Sequence, residues 1–198
     1  MSLSFRSTAK ENFDPVAKQH GLRLAYESDD RLVFESDRVR MLVDFDNGRS
    51  FELAVAFALI GPDAQQQPYS LAEVLRLKNR PEAACIEGQQ LVTQSRLEAA
   101  LKKAASLASE FASEQLQGNE KTFTNLAKQR AAEAMEYGLA RDLRAARLQA
   151  DQAWQEKDFA TVVSVYRPFL SHLSPSEVKR LEFASTHTEG GLEGHASD

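Results

Sequence analysis

Apolar residues recur at every second position between residues 22 and 59. Leu22, Leu24 and Tyr26 form one run, Leu32 and Phe34 a second, Val39, Met41, Val43 and Phe45 a third, and Phe51, Leu53, Val55, Phe57 and Leu59 a fourth. Ser28-Asp29-Asp30, Ser36-Asp37 and Asp46-Asn47-Gly48 separate them. Period-two runs punctuated by turn residues predict a four-stranded antiparallel meander with one buried face. Ahead of it, Phe5, Ala9, Phe13, Val16 and His20 fall at helical spacing. Asp14-Pro15 predicts a break there, with Asp14 capping a second helical piece and His20-Gly21 ending it.

Parity constrains the last hairpin. A two-residue Asn47-Gly48 turn would pair Val43 with Glu52 and mix core with solvent on both faces. A three-residue loop, Asp46-Asn47-Gly48, pairs Val43 with Phe51, Met41 with Leu53 and Val39 with Val55. Gly48 would then take the left-handed position of a bulge, and Asp46 would bond its own backbone. Asp44 falls on the outer face beside Leu42, Ala54, Ala56 and Ala58. That face is too apolar for open water, which predicts a helix or a partner over it. Counting from Asp44, the glycine and the final carboxylate miss the positions a calcium loop needs.

After residue 60 the period becomes helical. Gly61 to Pro68 reads as a loop, and Ser70 with Glu73 is a capping box for a helix over Leu71 to Leu77. Residues 78–93 are broken by Pro81 and Gly88. Leu97, Leu101, Ala104, Ala108 and Phe111 make one stripe, ended by Gly118-Asn119. Phe123 to Ala150 suggests a long alanine-rich helix with an interruption near Gly138. An alanine stripe buries little area, so these helices need the sheet or another chain for support. Trp154, Phe159, Val162, Val163, Tyr166, Phe169 and Leu170 form the next apolar stripe. Ser174, Pro175 and Glu177 predict the start of a last helix, running to about Ala184. The resulting fold class is α+β: an N-terminal helix on a four-stranded meander, then a mostly helical C-terminal half. Residues 1–68 form the α+β part, 69–185 a helical part packed on it as one domain, and 186–198 a flexible tail.

Composition narrows the chemistry. The 198 residues carry a net charge of −5, which argues against a general nucleic-acid binder, whose domain is usually basic. Lys128, Arg130, Arg141, Arg144 and Arg147 form the one basic cluster. Acidic neighbours interrupt it, so it reads as a solvated helix face. The single cysteine, Cys85, allows no internal disulfide and fits a reducing compartment. No secretory h-region or apolar run of about 18 residues is present, which predicts a cytoplasmic protein with no membrane partner. The histidines, His20, His172, His187 and His195, are scattered. His20 suits a helix C-terminus as a cation, while His187 and His195 fall in the tail. There is no zinc signature, phosphate loop or nucleophile–base spacing, so no cofactor, metal or catalytic residue is assigned. An enzyme would have to bring together groups such as His20, Cys85, Tyr137 and Asp44.

Trp154, Asp158-Phe159, Val162-Val163, Tyr166, Leu173-Ser174-Pro175, Glu177, Arg180-Leu181 and Ala184 resemble the C-terminal helical hairpin of small bacterial proteins of the polymorphic-toxin immunity type. The helix-plus-meander layout with "VFES" and "LVDFDNG" is similar too. The resemblance implies a non-catalytic protein-binding module whose partner is another protein, a basic toxin. The expected contact patch is the acidic rim at the hairpin ends: Glu27, Asp29, Asp30, Glu35, Asp37, Asp44, Asp46 and Glu52. The alternative is a structural protein that self-associates as a homodimer through its alanine-rich helices.

Overall fold

Helix α1, Phe5–Gln19, buries Phe5, Ala9, Phe13, Val16 and Ala17, one stripe at helical spacing. It is continuous through Pro15. The predicted break is therefore absent: proline removes one N–H from the ladder, and the buried stripe on both sides outweighs that loss. The computed structural model describes residues 3–61 and 67–189. Gln65, Gln66 and His195 lie outside them, as do tail residues 190–198. Two compact units are present, Met1–Ala131 and Ala132–Asp198, and their division falls inside a helix.

The first unit holds the sheet: β1 Arg23–Glu27, β2 Arg31–Glu35, β3 Val39–Phe45, β4 Leu53–Leu59 and β5 Tyr69–Ser70. The strands are antiparallel neighbours in chain order, so the meander has five strands rather than four. The fifth is the two residues ahead of helix α2, Leu71–Leu77, too short to leave an alternating signature. Helices α3, Gln94–Phe111, and α4, Ser113–Leu116, follow a 3-10 turn at Pro81–Cys85. The inner sheet face, α1, α2 and α3 share one core, with Phe5 stacked on Phe45 at 5.8 Å.

The β3–β4 register corrects the expected hairpin. Val43 pairs with Val55, Met41 with Phe57 and Val39 with Leu59. Each partner lies an even number of positions from the expected one, so the apolar residues still share a face. Asp46 makes the difference. Its carboxylate accepts from the N–H groups of Gly48, Arg49 and Ser50 at 3.2, 3.0 and 3.3 Å. That widens the loop to residues 46–52, and Phe51, at φ 55°, takes the left-handed position expected of Gly48.

Helix α5, Glu120–Gln155, runs unbroken through Gly138. Its N-terminal part belongs to the first unit. There Arg130 Nε donates to Glu73 Oε1 at 2.6 Å, its NH2 donates to Glu73 Oε2 at 2.8 Å, and its guanidinium lies 4.0 Å over the Tyr69 ring. The second unit contains the rest of α5 with α6, Phe159–Tyr166, and α7, Pro175–Glu189. Ala150, Ala153, Val162, Tyr166, Leu181 and Ala184 form its core. Residues 186–189, expected in the tail, continue α7. His187 stacks on Phe183 with ring centroids 3.9 Å apart, so that helix turn has a packing partner after all.

Candidate binding surface

The two faces of the sheet differ. Leu24, Phe34, Met41, Phe57 and Tyr69 pair in one row across the inner face. The neighbouring outer row is Tyr26, Val33, Leu42, Ala56 and Ser70. An antiparallel sheet with one core normally shows polar residues on its outer face. Here the row is apolar except at its end: Val33 is buried, Leu42 and Ala56 are half-buried, and Tyr26 is exposed. Ion pairs frame it. On one side Arg31 Nε donates to Asp44 Oδ1 at 2.6 Å and NH2 donates to Oδ2 at 3.3 Å. On the other Arg40 pairs with Glu35. Ala54 and Ala58 stand next to these pairs on β4.

Tyr26 joins this face through a β-bulge. Leu24 pairs with Phe34 and Tyr26 with Val33, leaving Ala25 as the extra residue. Strict alternation puts Tyr26 with Leu22 and Leu24 inside. The bulge resets the parity, and Tyr26 is 54% exposed. Nothing in the one-dimensional pattern marks the extra residue, so the sequence reading missed this aromatic.

The predicted acidic rim is divided between the two ends of the sheet. Glu35 and Asp37 flank the β2–β3 turn, while Glu27, Asp29, Asp30, Asp44, Asp46 and Glu52 belong to the β1–β2 and β3–β4 turns at the opposite end. Phe45 N–H donates to the Asp30 carbonyl at 2.8 Å and ties those two turns together. Tyr26, Asp30, Arg31, Asp44 and Asp46 line a notch there of about 440 Å³. Several of the carboxylates already have partners. Glu27 accepts from Lys10 at 3.0 Å and from Arg6, which hold its carboxyl below the usual range. Asp46 is lowered by its backbone donors, the Gly48 N–H first. Asp30 accepts from Ser28 Oγ at 2.5 Å. Asp29, Asp37 and Glu52 have no side-chain partner among the described residues, and all three are exposed or half-buried.

Other sequence candidates have structural partners. Arg130 and Arg147, read as a solvated face, each grip a glutamate that caps a helix. Glu73 N–H donates to Ser70 Oγ at 3.2 Å and Glu177 N–H to Ser174 Oγ at 3.3 Å. Arg147 Nε and NH2 donate to the Glu177 carboxylate at 2.6 and 3.2 Å, and its carboxyl drops to about 2, chiefly through that contact. Burial pushes the Glu73 carboxyl up, and Arg130 with the Ser70 N–H more than offsets it, so the net shift is downward. His20, expected to act as a cation, is instead pushed down by burial, with Nε2 unpartnered. Trp154, Phe159 and Phe183 pack ring against ring at 5.4–5.6 Å, so these hairpin residues serve packing.

Cys85 is exposed and borders an apolar pocket whose lining contains neither His20 nor Tyr137 nor Asp44. The described residues contain no group of three or more His, Cys, Asp or Glu placed to hold a metal, and no helix long and apolar enough to cross a membrane. No protein-family profile matches the chain, and no curated protein or solved structure does so.

Proposed function

We propose that this chain is a non-catalytic protein-binding module that docks a basic protein on the outer face of its sheet, in the manner of an immunity-type antagonist. The observation that carries this reading is the row Tyr26–Val33–Leu42–Ala56, apolar on the outer sheet face, with Tyr26 exposed and Leu42 and Ala56 half-buried beside a buried Val33. An apolar row rimmed by polar groups is the usual make-up of an interface centre. Tyr26 supplies an aromatic anchor, and aromatic anchors dominate binding energy. Its notch carries Asp30, Asp44 and Asp46 against one lining cation, Arg31. That sign favours a basic partner and raises its association rate. The alanines of β4 let a partner's backbone approach closely.

The test is affinity capture from the source cell with elution in rising salt, using the native chain beside Leu42→Arg and Tyr26→Ala. A single basic protein, held by the native chain, released by salt and lost from both variants, is the expected result. Equal capture by all three chains refutes the outer face as the docking surface.

A second reading has its own observation. Met135 and Tyr137 on α5 are 77% and 74% exposed, which favours association of two copies through that helix. Sedimentation across a range of concentrations decides it, with Met135→Lys as the control: a mass that rises in the native chain and not in the variant supports self-association.

A further inference from the structure

A second site lies in the first unit, away from the row described above. Between β4, α2, the 3-10 turn and α3 is a pocket of about 270 Å³. Leu53, Val55, Leu71, Leu91, Ala100 and Ala104 supply apolar wall. Val55, Leu71, Leu91 and Ala104 are themselves buried, so the space indents the core. Protein interiors are close-packed, with few voids larger than a water molecule. Against the apolar part of the wall a water finds no hydrogen-bond partner, so an apolar group displaces it favourably there.

The mouth gives the polarity of the occupant. Three ionisable groups with a formal charge line it: Glu52, Glu87 and Lys103. Glu87 already accepts from Arg76 at 2.7 Å. Glu52 closes the β3–β4 loop ahead of β4 and reaches the mouth from that side, next to Leu53 of the wall. Lys103 stands on α3 between the wall residues Ala100 and Ala104, and its ammonium has no ion pair among the described residues. An apolar recess whose rim carries an ammonium that no carboxylate engages suits an amphipath with a single negative head on Lys103, even with the Glu52 carboxylate at the same mouth. The volume is roughly twice the ~150 Å³ apolar cavity that holds a benzene ring, which leaves room for a chain of about ten carbons and excludes a nucleotide.

We infer that this pocket binds a medium-chain aliphatic carboxylate, with the chain against Leu53, Leu71 and Leu91 and the head on Lys103. The chain's single cysteine, Cys85, borders the same pocket and is exposed, which supplies a reporter. Full-length protein is labelled with a maleimide in the presence of decanoate, decanol or decylamine, and binding is measured in parallel by calorimetry. Saturable protection of Cys85 is expected with decanoate tightest, decanol weaker and decylamine weakest. Lys103→Gln should weaken decanoate about tenfold, the usual worth of one charge-assisted contact, and leave decanol unchanged. Ala100→Phe, which enters from the half-exposed rim, should abolish binding of all three. Ala104→Leu, a smaller filler on the same wall, covers the event that the phenylalanine chain fails to fold by circular dichroism. Decylamine binding tightest would overturn the carboxylate assignment, and absence of saturable binding by any of the three would overturn the site.

Discussion

Glu177 shows how much one side chain can hold in place. Its carboxylate takes two hydrogen bonds from Arg147, and Ser174 N–H donates to it at 2.6 Å. The carboxyl titrates at about 2 in the fold against an ordinary 4.5. A depressed carboxyl contributes stability that is complete above pH 4.5 and lost as pH falls toward 2. Glu177→Gln should therefore destabilise the second unit by about 1–2 kcal/mol at neutral pH and flatten its acid dependence. The one tryptophan, Trp154, lies in this unit, so denaturant unfolding followed by its fluorescence between pH 5 and pH 2.5 reads the effect. Gln115 is the opposite case. It is fully buried, and neither amide atom has a partner among the described residues. A buried amide without hydrogen bonds costs stability. Gln115→Leu should raise the unfolding free energy by about 1–2 kcal/mol, and a lower midpoint in urea would contradict that.

At the scale of elements, the junction between α4 and α5 depends on Gly118. Its φ is +68°, and a Cβ added there would meet Arg38 Cβ at 2.8 Å. Gly118→Ala combines left-handed strain with a clash against a neighbouring turn, and should cost about 2–3 kcal/mol, read as a drop in thermal midpoint. The glycine was legible as a helix break. Its steric role was not, because Arg38 is distant in sequence. The same division recurs elsewhere. The capping boxes at Ser70 and Ser174, the helix starts and the inward parity of β2–β4 depend on residues a few positions apart, and local pattern reveals them. The register of β3 and β4 depends on how many N–H groups Asp46 gathers, and the outward turn of Tyr26 depends on one unpaired alanine. Neither has a periodic signature. The acidic groups of the notch were readable as turn residues, whereas the row beside them was visible only as alanines and a leucine in need of cover.

At the scale of the whole molecule, α5 carries Arg130 in the first unit and Arg147 in the second, and each arginine clamps the glutamate of a capping box. Each unit thus carries its own acid-sensitive clamp and its own hydrophobic core. Leu181→Ala removes a buried side chain from the second core only and should cost about 2–4 kcal/mol there. Hydrogen exchange should then quicken through α6 and α7 and stay unchanged in β3, since Leu181 belongs to the second hydrophobic cluster and β3 to the first. Faster exchange in β3 would show that the cores unfold together.

The unpaired residue in β1 has a further effect, on behaviour in crowded solution. A long, flat outer strand is a template on which a second chain can add its own strand, and fibrils grow that way. In this sheet the ladder of β1 is interrupted at Ala25 and the opposite border, β5, is only Tyr69–Ser70. Neither border offers an uninterrupted template. Concentrated samples of this protein should therefore stay free of cross-β growth, as scored by thioflavin fluorescence, and the bulge that presents Tyr26 also guards the sheet against its own copies.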